Sequence, residues 1–106
     1  FALCADVAER YGVTIATTAH AGDGNLHPTF VFDEEEPTAE VWAAADEIFQ
    51  GAIAMGGTLT GEHGVGVLKR RWLGLELGET QLRLQREIKA VFDPAGILNP
   101  GKVFEP

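Results

Sequence analysis

The 106-residue sequence contains no serine at all, which removes hydrolases that work through a serine nucleophile. Its only cysteine is Cys4, so no internal disulfide can form and a CxxC-type metal site is excluded. A lone thiol fits a reducing, cytoplasmic setting. Basic residues are also scarce, with 8 Lys and Arg against 16 Asp and Glu and a formal net charge of -8. Such a surface repels phosphates, which argues against a general nucleic-acid binder. No apolar run approaches the roughly 18 residues that would cross a bilayer, and no basic-then-apolar leader opens the chain. Internal repeats and low-complexity segments are absent.

What is present is enough apolar content, 45%, to build one small core over residues 1–106. The chain opens apolar, Phe1-Ala2-Leu3-Cys4, and runs straight into a helical pattern, as a piece cut from a longer protein would. Leu3 to Tyr11 suits a helix stopped by Gly12. Val13 to Ala19 is rich in β-branched residues and reads as a strand. Gly22, Asp23 and Gly24 signal a turn, and Leu26 to Phe32 is β-prone again. Two strands around a glycine turn make a hairpin, with a six-residue connection from His20 to Asn25.

The acidic run Asp33 to Glu36 ends at Pro37, and a helix can start near Thr38 with those carboxylates at its positive end. Val41, Ala45, Ile48, Phe49 and Ala52 carry its helical spacing up to Gly56-Gly57. Thr58 to Thr60 reads as a short extended piece, followed by the glycine-rich stretch Gly61 to Gly66. Lys69 to Trp72 opens a short helix. A clearer one spans Thr80 to Phe92, with Leu84, Ile88, Val91 and Phe92 expected to face inward. Asp93-Pro94-Ala95-Gly96 has the residues of a type I turn, and the tail is irregular. The order predicts an α+β fold in which helices pack on a small antiparallel sheet. Trp42, Phe49 and Trp72 read as core or interface aromatics, Cys4 as buried, and Lys69-Arg70-Arg71 as surface charge, with contact of one of them to an anionic ligand as the alternative.

All three histidines lie beside or within glycine-bracketed loops: His20 and His27 flank the first turn, and His63 sits in the second loop. A tight turn can bring the ends of His20 to His27 together, and neutral imidazoles are good ligands for a borderline divalent cation. A carboxylate from Glu62 would complete a His-His-Glu set with an open fourth position. A loop histidine is more often a cap or a surface residue, however, and Gly-Asp-Gly-Asn is by itself a turn. Spacing leaves both readings open.

Three ordered motifs carry a resemblance. They are His20-Ala21-Gly22-Asp23-Gly24-Asn25-Leu26-His27-Pro28, Gly57-Thr58-Leu59-Thr60-Gly61-Glu62-His63-Gly64-Val65-Gly66, and Phe92-Asp93-Pro94-Ala95-Gly96-Ile97-Leu98-Asn99-Pro100-Gly101-Lys102. Together they resemble the C-terminal domain of the FAD-linked oxidases, a family of flavoproteins that takes in glycolate oxidase subunits, D-lactate dehydrogenases and D-2-hydroxyglutarate dehydrogenase. The resemblance implies the C-terminal part of a larger substrate or cap domain. It implies that His20, His27 and Glu62 bind zinc or a similar divalent ion and that His63 is the general base. It implies a substrate contact two residues past the second histidine. The hydroxyglutarate enzyme has asparagine there and this chain has Thr29, which leaves that particular substrate open. Asn99, in the segment found near the flavin in related enzymes, is the flavin-side candidate.

The implied activity is FAD-dependent oxidation of a small 2-hydroxy acid, of glycolate or D-lactate type, to the 2-oxo acid. An imidazole titrates near neutral pH and can take the hydroxyl proton, while the flavin takes the hydride. Nothing here resembles the flavin-binding domain that precedes this one in the family. The 106 residues alone are therefore expected neither to hold FAD tightly nor to turn over. Within a larger complex the protein could sit at a membrane surface, and apolar faces left open by cutting would favour homo-oligomers. Two other classes compete: a stand-alone metal-binding or interaction module without redox activity, and a zinc hydrolase using the same ligands.

Overall fold

Alanines at positions 2, 5 and 8, with Leu3, Glu9 and Arg10, are strong helix formers, and in the computed structural model Ala2–Tyr11 is the first helix, α1. It ends in a Schellman motif: the Val13 amide donates to Ala8 O (3.1 Å) and the Gly12 amide to Glu9 O (3.3 Å). Closing this way needs a left-handed residue, and Gly12 supplies it at φ 64°, ψ 29°. The structure describes residues 1–104, and the chain divides into two compact units, Phe1–Met55 and Gly56–Pro106. Each unit is built on its own logic.

In the first unit, α1 is followed by strand β1 (Thr14–His20), a single 3-10 turn (Ala21–Asp23), strand β2 (Asn25–Val31) and helix α2 (Ala39–Ala54). Thr38 caps α2 by accepting from the Val41 amide at 3.4 Å. Val41, Ala44, Ala45 and Ile48 are its buried residues, a spacing of three, four and seven that makes one apolar stripe. Cys4 and Val7 of α1 meet Ala44 and Ile48 of α2 to form the core, with Leu3, Tyr11, Val13, Ile15 and Phe30 packed against it. Val7 has no solvent exposure. The helices approach so closely that a Cβ on Gly51 would lie 2.5 Å from Leu3 Cδ2. At the rim, Arg10 of α1 pairs bidentately with Glu47 of α2 and also with Asp6 at 2.9 Å. Arg10 holds the Glu47 carboxyl below the ordinary range, and Glu47 raises the Tyr11 phenol.

The second unit has one helical segment, α3 (Arg70–Phe92), and Gly78 sits non-helically inside it at φ 69°, ψ 168°. That residue divides the short first helix from the longer second one, as the sequence suggested. Leu59, Trp72 and Leu73 are buried here. The helix end is organised by Asp93. Its carboxylate accepts from the Ile97 amide (2.9 Å), the Leu98 amide (3.0 Å) and Lys89 Nζ (2.5 Å). The Gly96 amide donates to Asp93 O at 3.1 Å, closing the expected turn.

Three helices and a two-stranded antiparallel sheet among the described residues give the α+β class. Details differ from expectation. Thr58 to Thr60, read as a short extended piece, belongs to no helix or strand, and its polar contacts go to a side chain of α3. The hairpin connection is shorter than expected, because β1 runs through His20 and β2 begins at Asn25. Leu84, Ile88, Val91 and Phe92, expected to face inward, are exposed. Spacing specifies that they share a stripe but cannot say what covers it. No helix among the described residues is long and apolar enough to cross a membrane. Charge is unevenly shared as well. Lys69, Arg70, Arg71, Arg83, Arg86, Lys89 and Lys102 all lie in the second unit, leaving Arg10 as the one Lys or Arg in the first.

Candidate functional site

The first motif becomes one face of the β1–β2 hairpin. The strands pair Thr14 with Val31, Ala16 with Thr29, Thr18 with His27 and His20 with Asn25. Directly opposed residues share a face and neighbours along a strand alternate, so His20, His27 and Thr29 lie on one face together with Asn25 and Thr18. The other face carries Ile15, Thr17 and Ala19 opposite Phe30, Pro28 and Leu26, and its Ile15 and Phe30 pack on the helical core. A slip of one residue in register would turn the histidines toward α1 and α2. Burial of Ile15 and Phe30 therefore sets where the histidines point. Pro28 lies within β2, and a two-stranded sheet tolerates it because each strand has an open edge.

The two imidazoles meet edge to face, with centroids 5.1 Å apart and planes at 88°. Each offers a ring nitrogen within 4.8 Å of one on the other. The turn that joins them is tightened by Gly24, left-handed at φ 67°, ψ 19°, whose amide donates to Ala21 O at 3.3 Å. His20 and Thr29 are exposed and His27 is half-buried. Sequence spacing left open whether the histidines would be neighbours. The hairpin register brings them together, and Thr29 with them.

In the second unit the loop that carries Glu62 and His63 is strung between two anchors. Before it, Glu76 of α3 accepts from Thr58 Oγ1 (2.6 Å) and from the Leu59 amide (2.8 Å), and the Leu59 side chain is buried. After it, Gly66 O accepts from the Val103 amide at 2.8 Å and Val65 O from the Lys69 amide at 3.2 Å. Between the anchors Gly64 and Gly66 take φ of 77° and 58°, and Glu62 and His63 are exposed. The adjacent Thr60 hydroxyl is buried with no hydrogen-bond partner among the described residues.

The third motif is stitched to the second. Asn99, itself left-handed at φ 47°, accepts the Lys102 amide at 3.2 Å, and Arg70 Nη1 donates to Gly101 O at 2.6 Å. With the Gly66–Val103 bond, these contacts place the Asn99 turn beside the end of the His63 loop, within one unit. Arg70 is thus half-buried and structural, which corrects its reading as surface charge.

Sequence reading missed three supporting residues: Glu76, Arg70 in its role toward Gly101, and Asp93 as a hub. Glu76 sits in an ordinary helical run with nothing to mark that it reaches back 17 and 18 residues. Replacing Glu76 by alanine leaves the buried-side Leu59 amide without its acceptor. That should cost about 1–3 kcal/mol, read as a lower denaturation midpoint with an unchanged slope against denaturant. A midpoint within error of the parent would show that the clamp does not hold the loop.

Residues 2–103 match the family model for FAD linked oxidases, C-terminal domain. The chain is 48% identical over 101 residues to the glycolate oxidase subunit GlcD of Bacillus subtilis, a match covering 93% of this chain and 22% of that protein. It is 37% identical over 102 residues to GlcD of Escherichia coli, covering 92% and 20%. To the mitochondrial D-lactate dehydrogenase [cytochrome] 1 of Saccharomyces cerevisiae it is 43% identical over 90 residues, covering 85% and 15%. The chain spans about a fifth of the length of the GlcD relatives it matches. Through a match that runs from the first helix to the Asn99 turn, and so takes in all three motifs, this chain belongs to the FAD-linked oxidase family and corresponds to its C-terminal domain.

Proposed function

We propose that this chain is the substrate- and metal-binding C-terminal portion of an FAD-dependent oxidoreductase that oxidises a 2-hydroxy acid, of glycolate or D-lactate type, to the 2-oxo acid. The observation that carries the reading is the His20–His27 pair, side by side with Thr29 on the hairpin face turned away from the core. Two imidazoles at 5.1 Å on an outward face support the reading of a shared ligand.

The donor chemistry fits a divalent ion. Two imidazole nitrogens and a carboxylate are a borderline-hard set that suits zinc and leaves a position open. His20, His27 and Glu62 are the ligands in this reading. Such an ion, when bound, lowers the pKa of an alcohol oxygen and anchors a carboxylate. A flavin held by the rest of the protein would supply the hydride acceptor. This chain's own residues do the rest: His63 takes the hydroxyl proton, Thr29 contacts the substrate beside the histidine pair, and the Asn99 turn lies on the flavin side. A reducing, cytoplasmic compartment suits the single buried thiol.

The ligand set is tested by metal analysis of the purified chain after equilibration with zinc. About one equivalent is expected, with His20→Ala and His27→Ala each weakening binding at least about tenfold. If the double variant holds as much zinc as the parent, the metal site is wrong. The reaction class is tested separately, by joining the chain to the remaining part of a relative and assaying flavin reduction by glycolate and D-lactate. A flavin-loaded hybrid that neither acid reduces would remove the activity.

A further inference from the structure

Arg70 and Arg71 open α3, and Arg86 lies beyond the break at Gly78. In an unbroken helix Arg70 and Arg86 would stand about 24 Å apart along the axis. The break brings both halves of α3 to one surface hollow of about 240 Å³, lined by Arg70, Arg71 and Arg86 together with Leu73, Leu82 and Phe104. Among the described residues that line it there is no carboxylate. Like charges that converge in this way repel, and an anion set between them turns the cost into attraction. Two of the guanidiniums are also oriented. Arg71 lies over the Trp72 ring (5.2 Å to its centre) and Arg86 over the Phe104 ring (5.7 Å). Stacking uses the flat face of a guanidinium, not the N–H edge that grips an oxyanion. Arg70 spends Nη1 on Gly101 O, one of its several donors.

We propose that this hollow is a phosphoryl-binding site for a small phosphate compound, its oxygens held by Arg70, Arg71 and Arg86. A phosphoryl group brings a charge of about -1.5 to -2 at neutral pH and three strong acceptor oxygens. That matches three converging forks better than a single carboxylate does. Leu73, Leu82 and Phe104 add an apolar wall, which favours a phosphate ester with a carbon part to rest there over free phosphate. The site gives Arg70 and Arg71 the anionic ligand that their basic run left as an alternative. It involves no flavin, metal or hydroxy acid and stands independently of the functional reading above.

The test is calorimetric titration of the chain with phenyl phosphate, inorganic phosphate and malonate, at one low ionic strength set by chloride. Phenyl phosphate is expected to bind at one site per chain with a Kd of about 1 mM or tighter. Arg71→Gln and Arg86→Gln should each weaken it about tenfold. Arg86→Lys keeps the charge but loses the fork, and should weaken it about threefold or more. Arg83, ion-paired with Glu87 and outside the lining, is the control, and Arg83→Gln should change the Kd less than about twofold. Gly74→Leu keeps every arginine and fills the hollow. A Cβ at Gly74 would meet Leu82 Cδ1 at an ordinary 3.9 Å, so the helix accepts the side chain while the ligand is shut out. Phenyl phosphate held more tightly than inorganic phosphate would name an ester as the occupant, and equal affinities would name free phosphate; both support the site. No saturation by either phosphate up to about 10 mM would overturn the proposal. So would binding that survives unchanged in a folded Gly74→Leu chain, which would place the anion elsewhere. Malonate bound more tightly than both phosphates would reassign the hollow to a dicarboxylate and end the phosphoryl assignment.

Discussion

Exchanging His63 for glutamine in a flavoprotein carrying this chain is expected to slow flavin reduction by the hydroxy acid about 10²–10⁴-fold, the usual contribution of a positioned general base. Flavin content should be unchanged, since His63 is exposed in its loop. Stability should change little as well, because Glu76 and the Val103 amide anchor the loop. Those two controls separate a missing base from a damaged domain. The measurement is single-turnover flavin reduction under anaerobic conditions, where product release does not limit the rate. A variant that reduces its flavin at the parent's rate would show that another group accepts the proton. Thr29→Ala makes a useful comparison: a substrate contact should raise KM more than it lowers kcat.

The second large effect is on folding. Asp93→Asn removes the charge from a buried carboxylate that organises the end of α3. It accepts two backbone amides and the Lys89 ammonium, and Lys89 also donates to Leu98 O at 3.1 Å. An asparagine can offer its single oxygen to only part of this set, and its amide would face a donor. The melting temperature is expected to fall by at least about 5 °C, from a network loss rather than a cavity. The pH dependence gives a sharper reading. The Lys89 ammonium chiefly, and then the Leu98 and Ile97 amides, hold the Asp93 carboxyl below the ordinary carboxylate range, against the opposing effect of burial. A group whose folded pKa is depressed stabilises fully above its unfolded value, about 3.9 for aspartate. That stability is lost as pH falls through the lower folded value. The parent should therefore be flat in this respect above about pH 5 and lose stability in acid. Asp93→Asn should lack that share of the acid loss. Parallel acid limbs for the two proteins would show that the charge of Asp93 contributes nothing.

Both effects depend on residues whose standing differed greatly at the level of sequence. The helices and the hairpin could be read because their signals are local. Gly12 ends α1, Thr38 caps α2, and the β-branched run before His20 leaves few alternatives. The three glycine-bearing motifs were readable for the same reason, since a turn that needs positive φ advertises itself by glycine. The roles of Glu76 and Arg70 were not readable. Each acts on backbone 17 to 31 residues away, and no local pattern encodes that distance. Two separate helices were read here without any role for Gly78, yet that residue separates a half of α3 that buries Trp72 and Leu73 from a half that exposes its apolar stripe.

The inward expectation for Leu84, Ile88, Val91 and Phe92 failed for an instructive reason. Periodicity reports that a face is apolar, and apolar faces are covered in complete proteins. It does not report whether the cover lies in the same 106 residues.

The sequence by itself determined the elements, their order, the α+β class and the identity of the chemically capable side chains. These follow from local backbone preference and residue type. Only the tertiary structure decided that His20, His27 and Thr29 share one outward face, because facing depends on strand register. Register in turn is fixed by burying Ile15 and Phe30 against α1 and α2. Only the tertiary structure decided, too, that the His63 loop and the Asn99 turn are tied together. A backbone bond from the Val103 amide to Gly66 O and a side-chain bond from Arg70 to Gly101 O join segments that are distant in sequence, in a unit that buries Leu59, Trp72 and Leu73.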